Sequence, residues 1–410
     1  MGKNNVIKNT TMLYLMNIAK VIFPLLTLPY LTRVLSVECY GVVSYVKTIM
    51  LYMQLIVDFG FLLSGTKAIV RAQKNKKEVG EIVGTTIVAK FVLSIIAVIV
   101  LIIMMFGIDL LNQNPVYTLL SFGVVFLSIF LLDFLFQGLE RMEVITIRFV
   151  VMKVISTVLT FVFVKSDADI LMIPILDIIS SFIAIVLVFF EVKKMQIKIK
   201  FTGMKESWKS IKESFVYFAS DMATSAFGAL NALLIGIYMD VTEVAYWNVA
   251  MQIVMAIQTL YNPITNGIYP EMVKTKSIRL VKRVLSIFMP LIFLGCIITY
   301  FCAPLGILIV GGKKYIDAVP VLRALIPVLF FSFPGMVLGW PTLGAIDKTL
   351  ETTITTVSTA VVQILGLILL IWIGKFNLIE IALLRGLTEL FMLLFRGGFC
   401  WKFRSLFQHE

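Results

Sequence analysis

The chain is poor in charge, and poorest in acid. Charged residues are 15% of its 410 positions, with 24 Asp and Glu against 36 Lys and Arg. It has one histidine, His409, and four cysteines, Cys39, Cys296, Cys302 and Cys400, in no paired spacing. Too few ligands of that kind exist for a His/Cys metal centre or a disulfide frame. No cofactor is expected, although coupling to protons or sodium stays open. Long polar segments are also scarce, so no large domain outside a membrane fits. The loops expected on the outer side are each no longer than about ten residues, too short for the catalytic loop a membrane glycan polymerase or ligase needs. A cleavable leader is not expected either, because the first apolar stretch contains Lys20, Pro24 and Pro29 and no small-residue cleavage site follows it.

What the chain has is hydrophobic length. Apolar residues are 60% of it, and mean hydropathy is +0.98, far from a globular domain. A bilayer core about 30 Å thick takes roughly 20 residues of helix to cross, and lipid offers the backbone no hydrogen-bond partners. The pattern predicts an all-α polytopic membrane protein with about twelve transmembrane helices, near 10–32, 41–63, 84–106, 115–136, 145–164, 170–190, 215–239, 244–269, 285–310, 320–339, 353–373 and 378–399.

The cations fall in every second gap between these stretches. Roughly 24 Lys/Arg lie in the gaps on one side and roughly 5 on the other, as the positive-inside rule requires of a cytoplasmic face. Lys67, Arg71, Lys74, Lys76 and Lys77 form one cluster, and Lys274, Lys276, Arg279, Lys282 and Arg283 another. Both termini are expected to be cytoplasmic. This accounts for the +12 net charge without nucleic acid. The longest polar segment, Glu191 to Ser214, carries Lys193, Lys194, Lys198, Lys200, Lys205, Lys209 and Lys212. It reads either as a solvated linker or as a juxtamembrane helix on anionic lipid.

The halves echo each other. Leu35 to Val43 leads into the second span and Met239 to Trp247 into the eighth, each span being followed by a basic loop. Two six-helix lobes, residues 1–200 and 201–410, are expected, as parallel repeats about an axis along the membrane normal. Transporters built this way bind substrate where the repeats meet.

Ionisable residues inside spans cost a few kcal/mol each if they face lipid. Lys20, Lys47, Lys90 and Lys153 lie in the first, second, third and fifth spans, with Asp58, Asp133 and Asp177 in the same half. Asp221, Arg323, Arg385, Glu389 and Arg396 lie in the second half. Arg385 and Glu389 are spaced to pair on one helix face. Asp133, Arg323 and Arg396 are close enough to span ends to reach the interface. Lys20 and Lys47 are too deep for that, and no carboxylate stands at helical spacing to neutralise either, so a cavity or an anion is their expected surrounding. Asp58 and Asp221 can serve as ion carriers or in cavity ion pairs. Pro24 and Pro29 each remove a helix hydrogen bond beside Lys20 and make a candidate hinge.

Leu28-Pro29-Tyr30-Leu31-Thr32-Arg33-Val34-Leu35 with Tyr40-Gly41 resembles the opening signature of bacterial polysaccharide repeat-unit flippases, the Wzx or O-antigen translocase family. Asp58-Phe59-Gly60-Phe61 with Ser64-Gly65-Thr66-Lys67 is similar to that family's exit from the second span. Phe136 to Met142, Tyr261-Asn262-Pro263 with Tyr269-Pro270, Gly311 to Tyr315 and Ala318 to Leu322 extend the likeness over nearly the whole chain. Ser36-Val37-Glu38-Cys39 stands where the family more usually has Gly-Pro. The resemblance implies the fold of the multidrug/oligosaccharidyl-lipid/polysaccharide exporter (MATE-like) superfamily, two six-helix lobes in a V around a cavity. It implies a transporter, not an enzyme, in the bacterial inner membrane. Its substrate would be an oligosaccharide on undecaprenyl pyrophosphate, flipped to the outer leaflet by alternating access. Lys20, Lys47, Lys90 and Lys153 would then hold the pyrophosphate and sugars. Membrane lipid, a polysaccharide polymerase and a chain-length regulator are the implied partners. The nearest rival is a multidrug or cation exporter of the same fold, which would need cavity carboxylates in excess. A scaffold without transport leaves the buried lysines unexplained.

Overall fold

The computed structural model describes residues 3–201, 203–222 and 227–408, so His409 lies outside the described residues. Among those residues there is no β-strand. The helices are α1 (Lys3–Val34), α2 (Val37–Asp58), α3 (Phe61–Ala72), α4 (Lys76–Gly107), α5 (Asp109–Asn112), α6 (Pro115–Leu127), α7 (Asp133–Gly138), α8 (Met142–Phe163) and α9 (Met172–Lys194). They continue as α10 (Met204–Asp221), α11 (Phe227–Tyr238), α12 (Val241–Thr259), α13 (Asn262–Thr275), α14 (Ile278–Val310), α15 (Val319–Ala324), α16 (Ile326–Val337), α17 (Thr349–Trp372) and α18 (Leu378–Lys402).

Nine stretches among the described residues are long and apolar enough to cross a membrane. Of the twelve expected, three are not among these nine. The seventh, expected over 215–239, includes residues outside the described ones, and takes in the end of α10 on one side of them and α11, 12 residues, on the other. In the eighth, α12 carries Glu243, Asn248, Gln252 and Gln258. The last, α18, has 25 residues but also Arg385, Glu389 and Arg396. The spans otherwise fall close to their expected places, with lipid-facing stripes such as Ile95, Ile99, Ile103 and Phe106 exposed along α4. A soluble protein would not show such a stripe.

Helix starts follow ordinary capping chemistry. Ser36 Oγ accepts from Cys39 N at 3.1 Å, so a serine cap opens α2 where the family more usually has Gly-Pro. Asn75 caps α4 through Lys77 N and Glu78 N, and Asn377 caps α18 through Glu380 N at 3.0 Å. Among the described residues, left-handed backbone breaks two of the membrane stretches inside. Phe59 and Gly60 both take left-handed backbone between α2 and α3. A Cβ at Gly60 would also lie 2.5 Å from Tyr217 Cβ, so glycine is required there twice over. In the fourth span, a 3₁₀ turn, Ser128–Leu131, and a left-handed Leu132 separate α6 from α7.

Contacts divide the chain into two units, Met1–Val241 and Thr242–Glu410. Helices α10 and α11 pack on the rest of the first unit. Lys200 N donates to Gly80 O at 3.1 Å, Ser64 and Ser214 hydroxyls meet at 2.6 Å, and Tyr45 donates to Leu233 O at 3.3 Å. In the first unit, Tyr45, Ile49, Met53, Phe61 and Leu101 are fully buried. In the second, Tyr261, Phe333, Val337 and Leu343 form the centre, where Tyr261 donates to Leu329 O at 3.1 Å. Since lipid is as apolar as leucine, this burial acts through packing rather than transfer from water.

Candidate functional site: a cation-lined cavity in the first unit

Helix α2 is buried continuously from Tyr40 to Met50 with one exception, Lys47, which is exposed. What it faces is a cavity of about 170 Å³. Lys20 and Thr27 from α1, Lys153, Ser156, Thr157 and Thr160 from α8, and Asp177 from α9 complete its polar wall, with Pro24 between Lys20 and Thr27. Three of the four lysines expected to meet substrate therefore share one chamber. Asp177 is its single carboxylate, and accepts from Ser156 Oγ at 2.5 Å. Among the described residues Lys20, Lys47 and Lys153 make no ion pair within 4 Å. Lys20 instead lies 6.0 Å from the centre of the Phe149 ring, a cation–π distance.

A second chamber of about 430 Å³ shares Lys20 and Phe149 with the first. Here Lys90 and Arg148 are held by carboxylates. Lys90 Nζ lies 2.7 Å from Asp58 Oδ1, and Gln54 Nε2 donates to Asp58 Oδ2 at 2.7 Å and to Ser128 Oγ at 2.9 Å. Arg148 Nη2 meets Asp133 Oδ1 at 2.5 Å, while its Nε and Nη1 have no partner among the described residues. Across both chambers five cations (Lys20, Lys47, Lys90, Arg148, Lys153) stand with three carboxylates (Asp58, Asp133, Asp177). The surplus is positive and concentrated on Lys20, Lys47 and Lys153.

The first helix is tied to α8 on both sides of this chamber. Thr146 Oγ1 donates to Met12 O at 2.9 Å, and the Tyr30 hydroxyl donates to Val164 O at 2.7 Å with Phe161 O at 3.0 Å. Between the ties lie Lys20, Pro24 and Thr27. Helix α1 runs unbroken through Pro24 and Pro29. Thr27 Oγ1 bonds back to Phe23 O, and Arg33 Nη1 to Pro29 O at 2.7 Å.

The remaining charges lie elsewhere. Asp221 ends α10, half-buried and within electrostatic reach of Asp58. Arg385 Nη2 and Glu389 Oε1 are 2.9 Å apart one turn along α18. Arg323 stacks on Tyr300, 4.8 Å from the ring centre. Arg396 does not reach out to an interface: it is buried, and donates to Gly335 O at 2.6 Å, Thr356 Oγ1 at 3.0 Å and Thr355 Oγ1 at 3.1 Å. Asp133 is paired with the buried Arg148, while its own side chain stays 41% exposed on the chamber wall. Arg148 is the residue that sequence reasoning missed, although a charge one turn inside the fifth span was a visible signal.

Membrane-crossing helices enclosing a cation-rich chamber define the class: a multi-pass helical membrane transporter. Within it, the chain belongs to the family described as "Polysaccharide biosynthesis protein", whose model matches residues 6–276. Two curated relatives carry the name "Putative O-antigen transporter". The one from Shigella dysenteriae is 31% identical over 274 residues, covering 65% of this chain and 67% of its own. The one from Escherichia coli K12 is 30% identical over 319 residues, covering 75% and 76%. Among solved structures, an inward-facing multidrug resistance MATE family transporter of the MOP superfamily matches at TM-score 0.71 and 14% identity, over 96% of this chain and 94% of that one. The lipid II flippase MurJ, in an inward closed conformation, matches at 0.70 and 15%, over 97% and 87%. The fold is that of this superfamily, and the protein is a multi-pass protein of the bacterial inner membrane.

Proposed function

We propose that the chain flips undecaprenyl-pyrophosphate-linked oligosaccharide repeat units, of O-antigen or capsule type, from the cytoplasmic to the outer leaflet by alternating access. The observation that carries this reading is the chamber in which Lys20, Lys47 and Lys153 face one carboxylate. A pyrophosphate diester bears about two negative charges. At 4 Å and an effective dielectric of 20, each lysine attracts a unit charge by about 4 kcal/mol. Two or three lysines of that kind offset the cost of bringing the diphosphate out of water. Lysine is a compact point charge without the bidentate grip of arginine, which suits a ligand that has to leave. The names of the relatives and of MurJ support a lipid-linked saccharide as cargo. A cationic drug, the alternative for this fold, finds the wrong sign of charge here.

On this reading Asp58 is a candidate coupling group, since a proton on it releases Lys90, and Asp221 is a second. A polysaccharide polymerase and a chain-length regulator would act on the flipped unit. The test is the Lys20→Gln, Lys47→Gln double variant, which keeps most of the side-chain volume and removes two charges. Surface polysaccharide should be lost at unchanged protein abundance, and retention of undecaprenyl pyrophosphate by the purified protein should fall at least tenfold. Normal export together with normal retention overturns the proposal.

A further inference from the structure

The linker that the sequence left open is a built element. Residues 198–201 lie along α4, where Gly80 and Gly84 let the backbone approach: a Cβ at either position would run into the Lys198 or Lys200 carbonyl oxygen. Lys200 Nζ adds an ion pair to Glu81 at 2.9 Å. Helix α10 follows and is fixed in rotation by three contacts. Ser207 donates to Thr85 O, Ser214 meets Ser64, and Phe218 stacks on Phe59 with ring centres 4.3 Å apart. Ser207, Ile211 and Ser214 are buried against the unit.

The outward surface of α10 is striped. At about 100° per residue, Met204, Trp208 and Phe215 fall within roughly 40° of one another, beside the buried face. They are 62%, 52% and 56% exposed. The next stripe, some 90° further round, is Lys205, Lys209 and Lys212, all exposed, and the one after it is Glu206 and Glu213. Glu213 lies 4.0 Å from Lys209 in an open pair that leaves both side chains mostly exposed. The order is protein, aromatic, basic, acidic. A helix lying in a membrane interface needs that order, with apolar groups at the acyl boundary, ammonium groups at phosphate depth and carboxylates in water. In water alone the aromatic stripe has no reason to exist.

We propose that α10 is an interfacial helix whose Lys205, Lys209 and Lys212 stripe binds the headgroups of acidic phospholipids. The occupant is set by charge complementarity: three ammonium groups in a row beside an apolar stripe fit a bilayer surface rich in phosphatidylglycerol or cardiolipin. The proposal is independent of what the chamber carries.

The probe is Trp208 in full-length protein reconstituted in bilayers, with Trp247, Trp340, Trp372 and Trp401 replaced by Phe. Brominated phosphatidylglycerol, diluted in phosphatidylcholine, should quench it at least about fivefold more efficiently than brominated phosphatidylcholine at the same fraction. The Lys205→Gln, Lys209→Gln, Lys212→Gln variant should lose that preference while keeping quenching by both lipids. Equal quenching in the unsubstituted stripe overturns the headgroup assignment. Absence of quenching by either lipid overturns the interfacial placement and points to water or a protein partner over this face. A measurement that keeps all tryptophans covers misfolding of the probe: acidic phospholipid co-purifying with the wild-type chain should fall at least twofold in the lysine variant. No change there overturns the proposal as well.

Discussion

Lys90 Nζ sits 2.7 Å from Asp58 Oδ1, and this pair separates two kinds of cation within one unit. Lys90 is buried while the Asp58 side chain is 41% exposed to the chamber. Lys90 is therefore spoken for, whereas Lys20, Lys47 and Lys153 are available to a ligand. Asp58→Asn should strand a buried ammonium and lower stability by about 2 kcal/mol, the low side for a buried pair because one partner is partly solvated. The Lys90→Met, Asp58→Leu double variant should recover most of that loss. Thermal unfolding in detergent measures both, and a double variant less stable than Asp58→Asn would contradict a pairing role.

Arg396 is the opposite case, because each of its three guanidinium nitrogens donates a hydrogen bond. Its three bonds to Gly335, Thr355 and Thr356 join α18 to α16 and α17. Arg396→Lys cannot reproduce a planar fork, so it should lose nearly as much stability as Arg396→Leu, about 2–4 kcal/mol. Full stability of the lysine variant would mean that only the charge matters, as it would for a side chain reaching to the interface.

The contrast shows where the sequence was informative. Span positions follow from hydropathy because lipid imposes helix on any apolar stretch of sufficient length, and α4 and α14 could hardly be read otherwise. Depth marked Lys20 and Lys47 as unusual. What hydropathy lacks is direction around the helix. Arg396 and Asp133 stand near span ends, which suggested snorkelling, yet both are held by partners 15 to 61 residues away in the chain. The seat of residues 198–201 on α4 was hidden for a similar reason. Gly80 and Gly84 look like ordinary small residues until the 198–201 backbone is laid against them.

The expected topology has a direct check. In a cysteine-free background, single cysteines at Gln113 and Lys375 should react with a membrane-impermeant maleimide added to intact spheroplasts. Cysteines at Asn75 and Lys209 should react only after the membrane is opened. Asn75 precedes α4 and Lys209 lies exposed on α10. Labelling of Asn75 in intact cells would invert the orientation of the whole chain, and with it the leaflet facing α10.

Helix α1 is held to α8 at Met12 and Tyr30, with Lys20 and Pro24 between. Proline at 24 has no N–H for the Lys20 carbonyl, so the helix is weakest one turn from the chamber's own lysine. If α1 bends there between two fixed ends, Lys20 moves and the ends do not. Pro24→Ala restores a backbone bond and should stiffen the turn, raising thermal stability while lowering export of surface polysaccharide severalfold. Tyr30→Phe removes the hydroxyl that ties α1 to Val164 and should cost about 1 kcal/mol of stability. Its effect on export should be smaller than that of Pro24→Ala, because the other tie and the bend both persist. The decisive comparison is the sign of the stability change against the loss of export. A hinge predicts that the more stable variant, Pro24→Ala, is the poorer transporter, whereas a purely structural proline predicts that stability and export fall together.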